Sequence, residues 1–191
     1  KRYPLTVIKK LSLSGAVDGK GQVAADVLFK TEEAASPFTA NFGSPKPLMF
    51  FQTEFKLDGV LNLDVRSWTL SVDNASAVLR TLNQSRDAKD IVSTGRFVIE
   101  GGYEIYFETE ANRQKFLDNL PQSVTIILTG DIIEDTFKNK LEISVPKAKY
   151  SAYSFGTLEG LLGTAVTFQA EYDPAQGFGT QAILTNATPS Y

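Results

Sequence analysis

Leu57-Asp58-Gly59-Val60-Leu61-Asn62-Leu63-Asp64-Val65-Arg66-Ser67-Trp68-Thr69-Leu70-Ser71-Val72-Asp73-Asn74 decides the fold class of this chain. Asp58-Gly59 is the turn chemistry of a tight β-hairpin, in which both central residues take positive φ. Beyond it, apolar residues alternate at Leu61, Leu63 and Val65, then at Trp68, Leu70 and Val72. The parity changes once, from odd to even. A strand cannot exchange its buried face without an extra residue, so the pattern predicts a long strand with a β-bulge near Arg66-Ser67. Its even half, with Trp68, belongs to a core.

Strand signals continue in both directions. Leu5, Val7, Leu11 and Leu13 open a first strand, residues 15–21 read as a glycine-rich turn, and residues 22–30 return. Phe51, Thr53, Phe55 and Leu57 alternate into the Asp-Gly turn. Residues 75–94 are polar and weakly patterned, and read as a long connection. Phe97, Ile99, Gly101, Tyr103, Ile105 and Phe107 share one parity of a further strand. One short helix is expected after it. Thr109 would cap it, Phe116, Leu117 and Leu120 would form its apolar face, and Pro121 would end it. Val124 to Leu128 and Leu141 to Val145 pair across an acidic connection at residues 130–139. Val166 to Tyr172 and Ala182 to Leu184 close the pattern. The expected architecture is all-β: a β-sandwich or open barrel of about eight strands with one short flanking helix, in a single domain spanning residues 1–191.

Composition limits the chemistry. The chain has 191 residues, no His and no Cys. The usual general base, the thiolate nucleophile and the commonest zinc and copper ligands are therefore missing. No catalytic, cofactor-binding or metal-binding residue is nominated, and an enzyme is not expected. Asp131, Glu134 and Asp135 could offer oxygen to a cation, but their spacing is not that of a calcium loop, and a solvated hairpin tip explains them equally. Gly15, Gly19 and Gly21 lack the Gly-Lys-Ser/Thr of a phosphate loop. The net charge of −3 disfavours a nucleic-acid-gripping surface. No apolar run reaches the ~20 residues of a membrane-spanning helix, and no membrane partner is expected.

Two features stand out from this background. Residues 31–51 form a long loop with three prolines, yet they carry Phe38, Phe42, Met49 and Phe50. Such a loop either packs on its own domain or serves as an arm that buries its aromatics on a neighbouring chain. Glu100, Glu104 and Glu108 alternate on the polar parity of one strand. A solvent-facing strand accounts for that stripe, and so does an anionic wall along which a polyanion slides.

Taken in order, several segments resemble the tail tube proteins of long-tailed, non-contractile bacteriophages. They are Lys10-Leu11-Ser12-Leu13-Ser14-Gly15, the stretch from Leu57 to Asn74, Gly95-Arg96-Phe97-Val98-Ile99-Glu100-Gly101, Lys115-Phe116-Leu117, Ile143-Ser144-Val145-Pro146-Lys147-Ala148-Lys149, Phe168-Gln169-Ala170-Glu171-Tyr172-Asp173 and Thr185-Asn186-Ala187. The segment from Leu79 to Asp90 departs from the pattern. The resemblance implies a virion structural protein that pairs with copies of itself into stacked rings, usually hexameric. It implies a lumen filled first by a tape-measure protein and later crossed by DNA, in a particle made in the host cytoplasm. On this reading residues 31–51 are the inter-ring arm, Glu100, Glu104 and Glu108 line the lumen, and the chain is the C-terminal part of a longer protein. The alternative is a carbohydrate- or receptor-binding β-sandwich, with Tyr103, Tyr106 or Trp68 as an exposed aromatic platform.

Overall fold

A computed structural model describes residues 3, 5–34, 46–82 and 87–186. Among these described residues, twelve strands and one α-helix follow in chain order, with a 3-10 turn at Phe50–Gln52: β1 Thr6–Ala16, β2 Gln22–Phe29, β3 Thr53–Leu57, β4 Val60–Leu61, β5 Val65–Asp73, β6 Ser76–Leu79, β7 Asp90–Ser93, β8 Val98–Tyr106, α1 Ala111–Leu117, β9 Gln122–Glu134, β10 Phe137–Leu158, β11 Leu161–Ala170 and β12 Gln181–Thr185. One sheet runs β2-β1-β5-β8-β11-β10-β9-β3-β4, with β12 also on β10, and β6-β7 is a separate hairpin. The large sheet curls so that β3 faces β8: the rings of Phe55 and Tyr103 lie 5.2 Å apart although their strands are not neighbours. The all-β sandwich expected from the sequence is therefore made from one sheet folded over itself.

The deciding stretch behaves as its pattern predicts at two points. Asp58 and Gly59 take φ of 51° and 78°, and Leu57 pairs with Val60 across them. On β5, Val65 pairs with Ile105 and Ser67 with Glu104, so Arg66 is the bulged residue. The bulge restores the core parity, and Trp68 and Leu70 are buried. The predicted continuous strand is not formed, however. β4 stops at Leu61, Asn62 to Asp64 lie outside any strand, and Leu63 is 84% exposed. The Asn62 carbonyl side chain accepts from the Asp64 amide at 3.0 Å, a local turn that competes with the ladder.

The core unites Trp68 and Leu70 of β5, Tyr103 and Ile105 of β8, and Val166 and Phe168 of β11. It sets them against Phe55 and Leu57 of β3, Val124, Ile126 and Leu128 of β9, and Ile143 and Val145 of β10. Burying each large aliphatic or aromatic side chain here contributes roughly 1.5–3 kcal/mol. β10 is long enough to serve both halves. Its first part pairs with β9 and β12, its second part with β11. Pro146 sits in the register shift between Val145 and Ala148, where no ladder donor is required.

Several expectations need correction. Residues 75–94 are not a plain connection but contain the β6-β7 hairpin. The acidic connection at 130–139 is mostly strand, with β9 reaching Glu134 and β10 starting at Phe137. The helix takes Glu110 rather than Thr109 as its N-cap, and only Phe116 of its apolar residues packs on the core. Leu117 and Leu120 are exposed. Among the described residues no helix is long and apolar enough to cross a membrane.

Candidate functional site: the polar sheet face and the free edges

Antiparallel register fixes which side chains share a face. Opposite the core, one row across the sheet reads Ala24, Ser12, Ser71, Glu100, Gln169 and Lys149. The next reads Gln22, Ser14, Thr69, Gly102, Thr167 and Ala152. A third reads Ala16, Ser67, Glu104, Ala165 and Ser154. Six strands thus present a surface mostly of hydroxyl, methyl and hydrogen side chains, on which Glu100, Glu104, Gln22, Gln169 and Lys149 stand. Glu100 accepts from the Gln169 amide at 2.8 Å, and Glu104 from the Ser67 hydroxyl at 2.8 Å. Neutral donors hold both carboxylates in place without cancelling their charge.

Cations on or beside this face are accompanied by carboxylates. Lys10 stands in register between Asp26 and Asp73. Lys149 lies 3.6 Å from Glu171. Arg66, placed by the bulge, pairs with Glu159 of the β10-β11 turn and lies over the Tyr106 ring at 5.7 Å. The Tyr106 hydroxyl also donates to Glu159 at 3.3 Å.

The structure brings Glu100 and Glu104 together on this face but not Glu108. β8 ends at Tyr106, and Glu108 lies in the following loop, where it lines a small cleft with Asn62, Asp64 and Tyr153. Of the proposed arm residues, Phe38 and Phe42 lie outside the described residues. Met49 and Phe50 belong to the anchored stem. Met49 bridges to Lys20, Phe50 donates its amide to the Gly19 carbonyl at 3.2 Å, and neighbouring Leu48 packs on the core. An aromatic platform is not built from Trp68 or Tyr103, which are 5% and 2% exposed. Asp131 pairs with Lys46 at 2.8 Å, and among the described residues no group of three or more acidic or other metal-ligating side chains is placed to hold an ion.

A polar chain runs from the core to one end of the sandwich. The Tyr103 and Tyr150 hydroxyls are 2.5 Å apart, and Tyr150 donates to the Gln122 side chain. Gln122 donates to Asp58 at 3.3 Å, and Asp58 also accepts from Lys115 of α1 and, at 2.9 Å, from the Ser123 amide. Burial pushes the Tyr150 hydroxyl up to about 12, and pushes that of Tyr103 up further. Burial also pushes the Asp58 carboxyl upward, but the hydrogen bonds from Lys115 and Ser123 and the Lys115 charge together outweigh it, so the net shift is down. The Asp-Gly turn residue therefore latches α1 to the start of β9.

The free edges complete the site. β2 ends the large sheet on one side, and β4 with the end of β3 ends it on the other. Sequence reading found the two carboxylates through their parity. It missed the hydroxyl field, whose signal is the Ser and Thr at alternate positions of the first strand and of β5. A family model described as "Phage tail tube protein" matches residues 5–170. A search of curated proteins finds no match.

Proposed function

The chain belongs to the phage tail tube family, whose members are structural components of the virion tail that self-assemble into a tube, and from that premise we propose that the polar sheet face is the wall of the tube's bore. In this reading copies form stacked, hexameric rings, with the faces of β1, β5, β8 and β11 turned inward. The tape-measure protein occupies the bore first and DNA follows. The single observation that carries the reading is the composition of that face. It offers carboxylates at Glu100 and Glu104, hydroxyls and glycine between them, and cations accompanied by carboxylates. Phosphate gripping needs accessible Lys and Arg, and base stacking needs exposed aromatic faces. Such a wall repels a polyanion, and its one aromatic on the β8 parity, the half-buried Tyr106, has Arg66 over its ring at 5.7 Å, which suits passage rather than retention. Glu108, off the strand, is not assigned to the wall. Of the arm proposed over residues 31–51, residues 36–44, with Phe38 and Phe42, keep that assignment, and Met49 and Phe50 form its stem.

Electron microscopy of assembled tubes tests both parts. A map with Ser12, Thr69 and Gly102 on the bore is expected. A map that places them on the outside or inside a subunit contact overturns the wall assignment. Replacing residues 36–44 with a Gly-Ser linker should give rings that fail to stack. Full-length tubes from that variant would remove the arm.

A further inference from the structure

The apolar face of the sheet extends past the point where the core stops. Leu13 pairs with Val23 and packs on the core, Leu11 pairs with Ala25, Ile8 with Val27, and Thr6 with Phe29. These pairs all lie on the core-facing side, yet Val23 is 67% exposed, Val27 and Ile8 50%, and Phe29 43%. β5 reaches along β1 only as far as Lys10, so the outer part of the β1-β2 hairpin overhangs. The Tyr3 ring rests on Phe29 at 4.5 Å and extends the patch. The other face of β2 carries Gln22, Ala24 and Asp26, and then Leu28, which pairs with Val7 and is half-buried, so from Gln22 to Val27 the strand has the alternation of a covered strand while its apolar side lies open.

The edge of β2 is equally open. Native edge strands are guarded by Lys, Pro, bulges or brevity. Gln22–Phe29 has eight residues, one charge and no proline, and no bulge interrupts its own side of the ladder. Five side chains near half exposure leave roughly 500 Å² of apolar surface, at the top of the range found on monomers, and a standard interface needs about 800 Å² per partner.

We propose that this flange, the core-facing side and outer edge of β2 with Ile8 and Tyr3, is the seat of a neighbouring copy of the same chain. The inference rests on the tube-subunit reading, since self-assembly is what supplies a second copy. The contact is head-to-tail. Two flanges pairing with each other would close a dimer, whereas a ring needs two different surfaces on each subunit.

The absence of cysteine makes the test clean. In a Val27→Cys variant, a hydrophilic maleimide should react readily with the dispersed subunit and at least tenfold more slowly once tubes have formed. Ala24→Cys, on the opposite face, should slow far less. A second variant, Val23→Asp/Val27→Asp, should unfold thermally within a few degrees of the parent because both side chains already meet water, yet sediment as a monomer. Tubes with Val27 still fully reactive, or wild-type tube yield from the double Asp variant, would overturn the flange while leaving the tube reading intact. Protection that appears only on adding a different tail protein would overturn the same-chain occupant. A parent chain that stays monomeric under every condition would end both.

Discussion

Replacing Gly101 with alanine probes a very close contact between two neighbouring core strands. Gly101 pairs with Phe168 across β8 and β11, and an added Cβ would stand 2.4 Å from one ring carbon, 2.8 Å from a second and 3.0 Å from a third. Carbon atoms rest about 3.5–4 Å apart, so the ring would have to withdraw by roughly 1 Å. It has little room to do so. Phe168 is 1% exposed, and its ring lies 6.5 Å from that of Tyr103. Overpacking of a close-packed interior costs about 1–3 kcal/mol. The lost backbone freedom of glycine returns about 0.5–1 kcal/mol. A net destabilisation of about 1–1.5 kcal/mol is expected, or a fall of about 0.6 M in the urea midpoint at a slope near 2 kcal/mol per M. Trp68 is the single tryptophan and is buried, so its fluorescence reports the transition. Phe168→Leu shortens the obstacle. Combined with Gly101→Ala it should lose at least 1 kcal/mol less than the sum of the single losses. Strictly additive losses, or a Gly101→Ala variant within 0.5 kcal/mol of the parent, would refute the packing reasoning.

Two further outcomes follow from the latch and the bulge. Asp58→Asn keeps the shape but removes the charge facing Lys115. Because both side chains are partly exposed, a loss of only about 1 kcal/mol is expected at neutral pH. The folded pKa of Asp58 is depressed below 3.8, so its contribution is present above that value and lost as pH falls through the folded one. Denaturation curves of parent and variant should therefore converge at low pH, and a gap undiminished at pH 2 would rule the latch out. Deleting Arg66 removes the bulged residue and turns Trp68, Leu70 and Val72 to the polar face, so circular dichroism should show no native fold. Arg66→Ala keeps the parity and should cost under about 1 kcal/mol. A folded deletion variant with Trp68 still buried would contradict the register.

What the sequence reveals divides along physical lines. The Asp58-Gly59 turn, the parity change at Arg66 and the burial of Trp68 are local and periodic, and the pattern predicts all three. β6 and β7 are four residues each, too short for alternation to register within the polar stretch around them. β10 is interrupted in sequence by Pro146 and Gly156, which read as punctuation, yet Pro146 occupies a bulge and the strand continues through both. Leu63, Leu117 and Leu120 look like core residues but lie where no second layer covers them. For the proposed wall, Glu100 and Glu104 were accessible through parity. The hydroxyls of the first strand and of β5, however, join them only through a strand order that no local window contains. Exposure of Val27 was equally hidden, because it depends on how far β5 reaches along β1, and that of Val23 because it depends on β2 being the last strand of the sheet.

Strand order also sets when a newly made subunit can become native. Thr53 must wait for Leu128, and Gly101 for Phe168, before either gains its ladder partner. Until the last third of the chain has left the ribosome, β1, β2, β5 and β8 can pair with one another but lack the strands that cover them, and β1-β2 is the first of these pairs to close. Pairings this remote in sequence belong to the slow, millisecond-to-second class of folding. The β1-β2 hairpin, the proposed seat of a neighbouring copy, is thus finished early while the rest of the sheet is finished late. Polymerisation timed by the hairpin would capture half-made chains, so completion of the β8-β11 and β3-β9 pairs is the natural checkpoint for tail growth.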